Sequence, residues 1–206
     1  CCCPALPLSL RKEQPVEFMI FFLKYADTIG PLIPLLAFLF KIRQVPGRAY
    51  IILGYLFASV ALYGYSNYLA DRDINNMYLY HIICLLEFLA ISAFILTLLK
   101  NNYLRRIIYG EIVLFTLFFI ANIIWLEGPD TFNSNSISVE FLLLIIGCSF
   151  YFYELSSSDE ILNFHKSGDF WVIAGLLFYF AGAFLTFALY KYAVHSNKPF
   201  MLDFWY

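Results

Sequence analysis

Two long stretches of the chain contain no charged residue, and this feature constrains the fold more than any other. Neither Ala49–Ala70 nor Phe170–Tyr190 contains Asp, Glu, Lys or Arg. At about 1.5 Å of rise per residue, each stretch is long enough as a helix to cross a hydrocarbon core about 30 Å thick. Both stretches therefore predict membrane-spanning helices.

Four further stretches reach the same length if one or two charges are accepted within them. The six predicted spans are 18–40, 49–70, 77–99, 107–125, 137–153 and 170–194. A transmembrane β-barrel would need segments of about ten residues with alternating polarity, whereas these stretches are apolar on every face. We therefore predict an all-α polytopic transmembrane helix bundle. The aromatic residues Phe204–Tyr206 are typical of a membrane interface and predict that a truncated seventh span begins there.

The composition excludes several classes of protein. Charged residues make up 14% of the 206 residues and hydrophobic residues 62%. Soluble domains contain about 25% charged residues. The net charge of −2 gives no basic surface for a phosphate backbone. These values argue against a disordered chain, a nucleic-acid binder and an ordinary cytosolic enzyme, and they predict membrane lipids as partners.

Residues 18–206 are predicted to form one transmembrane helical domain. The N-terminal segment 1–17, which contains Cys and Pro, is predicted to be non-native or disordered. Two interpretations of Cys1–Cys3 remain open. The cluster is typical of palmitoylation or of a lipoprotein, although no lipobox precedes it. Alternatively, everything before Met19 is an upstream extension, because Met19 would be a natural start.

The distribution of Lys and Arg predicts the orientation. The first and third loops carry three basic residues each, whereas the second carries one and the fourth none. Because basic loops are retained in the cytoplasm, we place the first and third loops there and the N-terminus outside. With six spans the C-terminus is also outside, and a seventh span would return it to the cytoplasm.

Sequence motifs give no catalytic residue, no metal and no cofactor. The chain has no Cys-x-x-Cys, no phosphate-binding glycine loop, no Gly-x-Ser-x-Gly and no His-Glu-x-x-His. Cys84 and Cys148 lie inside predicted spans, where a thiol is usually a small packing residue.

Ionisable residues within the spans are the strongest functional signal. His81, Cys84 and Glu87 recur at steps of three along the third span, which places them on one slanting stripe of the helix. A charge at the helix centre costs about 2.5–3.5 kcal/mol, so such a residue tends to face the bundle interior. Two interpretations of Glu87 remain open, and the first is a functional carboxyl group that serves as a proton carrier, a cation ligand or a head-group contact. The alternative is a protonated Glu87 that only hydrogen-bonds to a neighbouring helix.

The secondary set of candidates consists of four other intramembrane polar residues: Lys24, Asp27, Glu111 and Asn122. Lys24 and Asp27 have the spacing of an intrahelical ion pair, although the favoured interpretation is a pair that snorkels to the interface. Glu111 and Glu140, near the starts of their spans, are predicted to be interfacial. Asn122 is deeper in its span and is predicted to hydrogen-bond between helices.

Small residues predict where the last span packs. Gly175, Tyr179, Gly182 and Thr186 recur at steps of four, three and four and so line one face of that helix. Such a face allows close approach of a second helix backbone.

Three segments carry a resemblance to a family of uncharacterised multi-span membrane proteins of Bacteroidota. They are Asn75–His81 with Leu85–Leu89, Asp169–Gly175 with Phe178–Gly182, and Met201–Trp205. The resemblance implies a bacterial inner-membrane protein with about seven spans, sometimes associated with histidine-kinase signalling. It implies no particular activity.

Two functional hypotheses follow. The first is a non-enzymatic sensory or regulatory module, in which spans two to six form an outer cleft and His81 and Glu87 tune its state; a histidine kinase or another membrane protein is the implied partner. The second is an intramembrane enzyme or carrier acting on a lipid or small amphiphile, with Glu87 as acid or base. Similarity to the lysoplasmalogenase-like membrane hydrolases supports the second, although the paired aspartates expected of those enzymes are missing from the spans.

Overall fold

Helices account for nearly all of the chain that this computed structural model describes, which is residues 25–40, 46–157, 164 and 166–195. For 26–27 and 186–195 the description covers the backbone only. No β-strand occurs in the described ranges. The helices are α1 Ala26–Phe40, α2 Tyr50–Ala70, α3 Met77–Leu98, α4 Asn102–Ala121, α5 Ser134–Ser156 and α6 Gly168–His195.

Five of the helical segments are long and apolar enough to cross a membrane, which confirms an all-α transmembrane bundle. They are Gly47–Ala70, Met77–Leu98, Asn102–Leu126, Ser134–Ser156 and Gly168–Leu185. The first predicted span, 18–40, is described only from residue 25, where α1 forms a shorter apolar helix of 15 residues. Residues 196–206, with the predicted start of a seventh span, lie outside the described residues. A sixth and a seventh span therefore remain predictions.

Most predicted boundaries differ from the observed ones by three residues or fewer, but α4 begins at Asn102 instead of residue 107. The prediction took Arg105 and Arg106 as loop residues. They form the first turns of the helix instead, because a charge marks where the lipid ends and not where the helix begins. Asn101 caps this end, since its side chain accepts a hydrogen bond of 2.8 Å from the Tyr103 N–H.

The third helix, α3, is the centre of the bundle. It contacts α2, α4 and α5, while α1 packs on α2 and α6 packs on α5. Half of its most apolar stretch is buried, compared with 11–33% for the other four spans. Fully buried side chains of α3, α4, α5 and α6 meet there, and the largest are Phe88, Phe94, Phe115, Leu144 and Phe180.

Short connections place the loops alternately on two faces of the bundle. On the first face, the α2–α3 loop contacts the α4–α5 loop, and Asn75 donates a hydrogen bond of 3.3 Å to Asp130. On the opposite face, Arg48 before α2 pairs with Asp169 at the start of α6. Also on that face, the Glu154 carboxylate at the end of α5 accepts hydrogen bonds from the backbone N–H groups of Lys100 and Asn101, at 2.8 and 3.1 Å.

Gly147 allows α5 to approach its neighbours closely. A Cβ atom at this position would lie 3.1 Å from Ile95 Cδ1 and 3.4 Å from Ile108 Cδ1. We expect Gly147→Val to lower the free energy of unfolding by about 1–3 kcal/mol through overpacking. Gly54→Val is the matched control, because no other residue of the described chain lies within 4 Å of a Cβ placed at Gly54. Denaturation of the purified protein in mixed micelles measures both, and equal costs would contradict the predicted close contact.

Candidate functional site

The stripe predicted on α3 lies in the interior of the bundle. His81 and Cys84 are each 3% exposed, and Glu87 is 8% exposed. Glu87 lies ten residues after the start of α3, so it is about 15 Å along the helix from the first face. The prediction that Glu87 lies deep in the bundle therefore matches its position, and its functional role stays a prediction.

Glu140 on α5 is the second buried carboxyl group, and the prediction that it is interfacial is wrong. Its side chain is 0% exposed. The reason is that the chain enters the bundle before α5 begins, so that Asn133, Ser134 and Ser136 are also almost completely buried. The run of polar residues Asn133–Ser136 was the available signal, because such a run directly before an apolar helix favours a polar contact between helices.

The two carboxyl groups belong to one cluster, which we call the polar core. Glu87 and Glu140 interact electrostatically, and Cys84 adjoins both Glu140 and Asn133. On α2, Tyr55 contacts Glu87 with its hydroxyl group and adjoins Ser59. The polar core thus consists of Tyr55, Ser59, Cys84, Glu87, Asn133 and Glu140.

The helices that form the polar core supply no cationic partner for its carboxyl groups. Neither Lys nor Arg occurs within α2, α3 or α5. Isolated ionised carboxylates are very costly to bury, and two that interact make each other more costly. At least one of the two carboxyl groups therefore requires a proton, or the cluster requires a cation.

Several polar atoms of this region are buried and make no well-aligned hydrogen bond to the described residues, although Ser59 adjoins Tyr55, and Asn133 and Glu140 adjoin Cys84. These atoms are Ser59 Oγ, His81 Nδ1, Asn133 Nδ2 and both carboxyl oxygens of Glu140. Unsatisfied buried polar groups are rare in native proteins and indicate a bound water, an ion or a functional role. Their concentration around one pair of carboxyl groups marks this part of the bundle as the candidate site.

His81 lies between the polar core and the first face. Its Nε2 atom is 3.2 Å from the backbone oxygen of Thr131. Because a carbonyl oxygen only accepts, Nε2 must carry a hydrogen, and Nδ1 of the neutral ring is then an acceptor. Sequence spacing on α3 alone did not reveal this contact with the α4–α5 loop.

A hydrogen-bond network, which we call the loop network, joins the end of α4 to the start of α5. Asn122, which is 0% exposed, donates hydrogen bonds of 2.8 Å to Glu127 and 2.9 Å to Ser136. The Glu127 carboxylate also accepts bonds from Ser134 Oγ and from the Asn135 N–H, at 2.7 and 3.1 Å. A π-helical turn, Asn122–Leu126, brings Asn122 and Glu127 together. Asn122 therefore makes contacts of the predicted kind, between helices.

The remaining predicted residues lie apart from the polar core or outside the description. Glu111 is partly buried on α4. Lys24 lies outside the described residues, and the description gives no side chain for Asp27 or Thr186. Gly175 and Gly182 lie on an exposed side of α6, with no other residue of the described chain within 4 Å of a Cβ placed there. Tyr179 of the same predicted face makes an edge contact with Phe141 of α5, with ring centroids 5.9 Å apart. Ile173 and Phe180 of α6 are fully buried. The role of the two glycines in helix packing stays a prediction.

A groove lies between α3 and α4, beside His81. Its volume is about 580 Å³. Apart from His81, apolar and aromatic side chains form nearly all of its wall, among them Tyr78, Ile82, Leu86, Leu89 and Phe119. This groove is suited to a long apolar chain more than to a polar solute.

The cysteines and histidines form no metal site in the described part of the chain, where no group of three His, Cys, Asp or Glu side chains is placed to hold an ion. Cys84 and Cys148 carry free thiols and are buried. The polar core thus contains two carboxyl groups, one thiol, two hydroxyl groups and one amide, which can exchange protons and bind water.

The fold and the buried cluster define an integral membrane protein with a polar core inside a helical bundle. No family model matches the sequence. Comparisons with curated proteins and with solved structures gave no match either.

Proposed function

We propose that this membrane protein is a sensory or regulatory module, and that the polar core is the switch that sets its state. The observation that supports this role is the pair Glu87 and Glu140, which is buried between two helices without a Lys or Arg on α2, α3 or α5. A gain or loss of one proton at such a pair changes a buried charge. It therefore changes the free energy of packing of every helix that contacts the pair.

The position of the pair favours a switch over a structural contact. Tyr55, Glu87 and Glu140 come from three different helices. A change in charge can thus alter the contacts of α2, α3 and α5 together, which is the kind of two-state element that regulation requires. A contact that served only to hold two helices together would be expected to satisfy its own hydrogen bonds. Neither oxygen of Glu140 makes a well-aligned hydrogen bond to the described residues, and its neighbours there include a thiol, Cys84, and a second carboxyl group, Glu87.

The cellular setting is part of the same proposal. The resemblance to the Bacteroidota family supports a multi-pass protein of the bacterial inner membrane, with the first and third loops in the cytoplasm. It also supports a histidine kinase or another membrane protein as the partner. A histidine kinase or response regulator encoded beside this gene would support regulation, whereas a lipid-metabolism operon would support the second candidate function.

The proposed switch predicts a loss of pH response when either carboxyl group is neutralised. We expect the α4–α5 loop of the wild-type protein to differ about fivefold or more in amide hydrogen exchange between mildly acidic and mildly alkaline buffer. Glu87→Gln and Glu140→Gln should each abolish this difference, because the amide side chain keeps the shape but cannot change its charge. This pH-dependent difference can be measured by hydrogen exchange of the full chain in lipid nanodiscs. Exchange is detected by mass spectrometry and corrected for the intrinsic pH dependence of amide exchange.

Glu111→Gln is the matched control, because Glu111 is a partly buried glutamate of α4 outside the polar core. It should keep the wild-type response. If both Gln variants of the polar core responded to pH as the wild type does, and also kept the wild-type interaction with the membrane partner, the proposal would be wrong.

The groove between α3 and α4 supports the second candidate, an intramembrane enzyme or carrier acting on a lipid or small amphiphile. His81 lies in the groove wall and near the polar core, so a chain in the groove would have an ionisable group beside it. Lipid analysis of a deletion strain, together with assays of the purified protein on lysolipids, tests this candidate. Unchanged lipids and no turnover would exclude it.

A further inference from the structure

We propose that water and protons reach the polar core from the first face of the bundle, where the α2–α3 and α4–α5 loops lie, and not from the opposite face. This inference rests on the proposed role of the polar core as the switch. It adds the ligand, which is water and the proton, and the side of the membrane from which the ligand comes.

Unsatisfied polar atoms extend from the first face to the carboxyl pair. Thr131 is exposed in the α4–α5 loop, and its backbone oxygen contacts His81. Asn133, two residues further along, is 0% exposed and adjoins Cys84, which in turn adjoins Glu140. His81, Asn133 and Glu140 each have at least one buried polar atom without a partner among the described residues. Water molecules are the small ligands that satisfy such atoms, usually with about three hydrogen bonds each.

The side from which water enters follows from the packing of α3 between Glu87 and its C-terminal end. Beyond Glu87, Phe88, Ile91 and Phe94 are each at most 1% exposed, and Ser92 is the one buried polar side chain of α3 in that half. On α5, Phe141, Leu144 and Cys148 continue this closely packed layer beyond Glu140. From Glu87 to the end of α3 the layer extends for about 16 Å. Tightly packed apolar side chains leave no polar partners for water, so the described residues form no comparable route from the opposite face.

Three further titratable groups of the described residues adjoin the carboxyl pair or its neighbour Tyr55. They are Tyr55 on α2, Cys84 on α3 and, interacting with Tyr55, Tyr179 on α6. Each of these groups is neutral at the pH at which carboxyl groups ordinarily titrate. The proton that the pair requires must therefore come from solvent, by way of His81 and Asn133.

The test is the rate at which deuterons reach the carboxyl pair of the full chain in lipid nanodiscs. Infrared spectroscopy after rapid mixing with D₂O detects the shift of the protonated carboxyl C=O stretch, and Glu87→Gln and Glu140→Gln assign the band. Asn133→Leu should slow the exchange about tenfold, which corresponds to about 1.4 kcal/mol of additional barrier. Asn133→Ala, which leaves the route open, should exchange at the wild-type rate or faster.

A second blocking variant and an opposite-side control keep the test decisive. His81→Phe retains a ring of similar size but removes both nitrogens, and it should also slow the deuterium exchange. This variant provides the test if Asn133→Leu does not fold. Ser92→Val adds bulk on the opposite side and should change nothing. Wild-type exchange in both blocking variants, or equal slowing by Ser92→Val, would overturn the one-sided route. Absence of any band assigned to Glu87 or Glu140 would instead overturn the switch itself.

Discussion

Asn122→Leu is expected to lower the free energy of unfolding by about 2–4 kcal/mol. The substitution removes three donated hydrogen bonds, to Glu127, Ser136 and Asn133. It also removes one accepted from Asn135 Nδ2 at 3.1 Å. Hydrogen bonds between helices in membranes are worth about 0.6–1.7 kcal/mol each, and a buried polar partner left unsatisfied adds to the loss. Unfolding of the purified protein by SDS in mixed micelles, followed by circular dichroism, measures this change.

Asn75→Leu provides the matched control for this prediction. Asn75 is exposed in the α2–α3 loop, although its side chain also makes hydrogen bonds. Exposed sites of this kind usually change stability by no more than about 0.5 kcal/mol. If the two variants lost the same stability, the loop network would not stabilise the junction between α4 and α5 as described.

Phe88→Ala is expected to cost about 3–5 kcal/mol, the usual range for removing a buried aromatic ring. Phe88 is 1% exposed, and its ring lies 4.1 Å from the ring of Phe115 on α4, between centroids. The cavity left by the ring would lie at the centre of the bundle, where the neighbouring helices cannot all move inward. The same unfolding measurement applies, and a double-mutant cycle with Phe115→Ala isolates the contact between the two rings.

Leu89→Ala is the control, because Leu89 is the next residue of α3 but is 39% exposed and lies in the wall of the groove. We expect it to cost less than half as much as Phe88→Ala. Equal costs would mean that α3 is rotated relative to the orientation described here, which would also move Glu87 out of the polar core.

The membrane class and most helix boundaries could be predicted from sequence because each depends on a property of consecutive residues. The uncharged stretch Ala49–Ala70 corresponds to α2, and the lipid environment requires such a stretch to be helical. The burial of His81, Cys84 and Glu87 could also be predicted from sequence. Their regular spacing places them on one side of a helix, and this can be recognised without knowing which helices pack against it. Whether these residues are functional was not determined by the fold.

The partners of these residues could not be predicted, because they depend on how distant segments meet. Glu140 was assigned to the interface by its closeness to the start of its span, but the burial of that start depends on the path of the α4–α5 loop. Tyr55 and Ser59 carried no signal in the sequence that distinguished them from ordinary residues of an apolar helix. The small-residue face of α6 could be predicted only in part, since Tyr179 contacts Phe141 of α5 whereas Gly175 and Gly182 lie on an exposed side of the helix.

Glu154 connects the end of α5 to the neighbouring loop on the opposite face of the bundle. Glu140 and Glu154 lie on the same continuous helix, about 21 Å apart along its axis. The carboxylate of Glu154 is hydrogen-bonded to the backbone of the α3–α4 connection. A helix is stiff over this length, so a rotation or shift of α5 at the buried carboxyl pair would displace that connection as well. In the proposed switch, α5 is therefore the element that would carry a change at the buried carboxyl pair to the opposite face of the bundle.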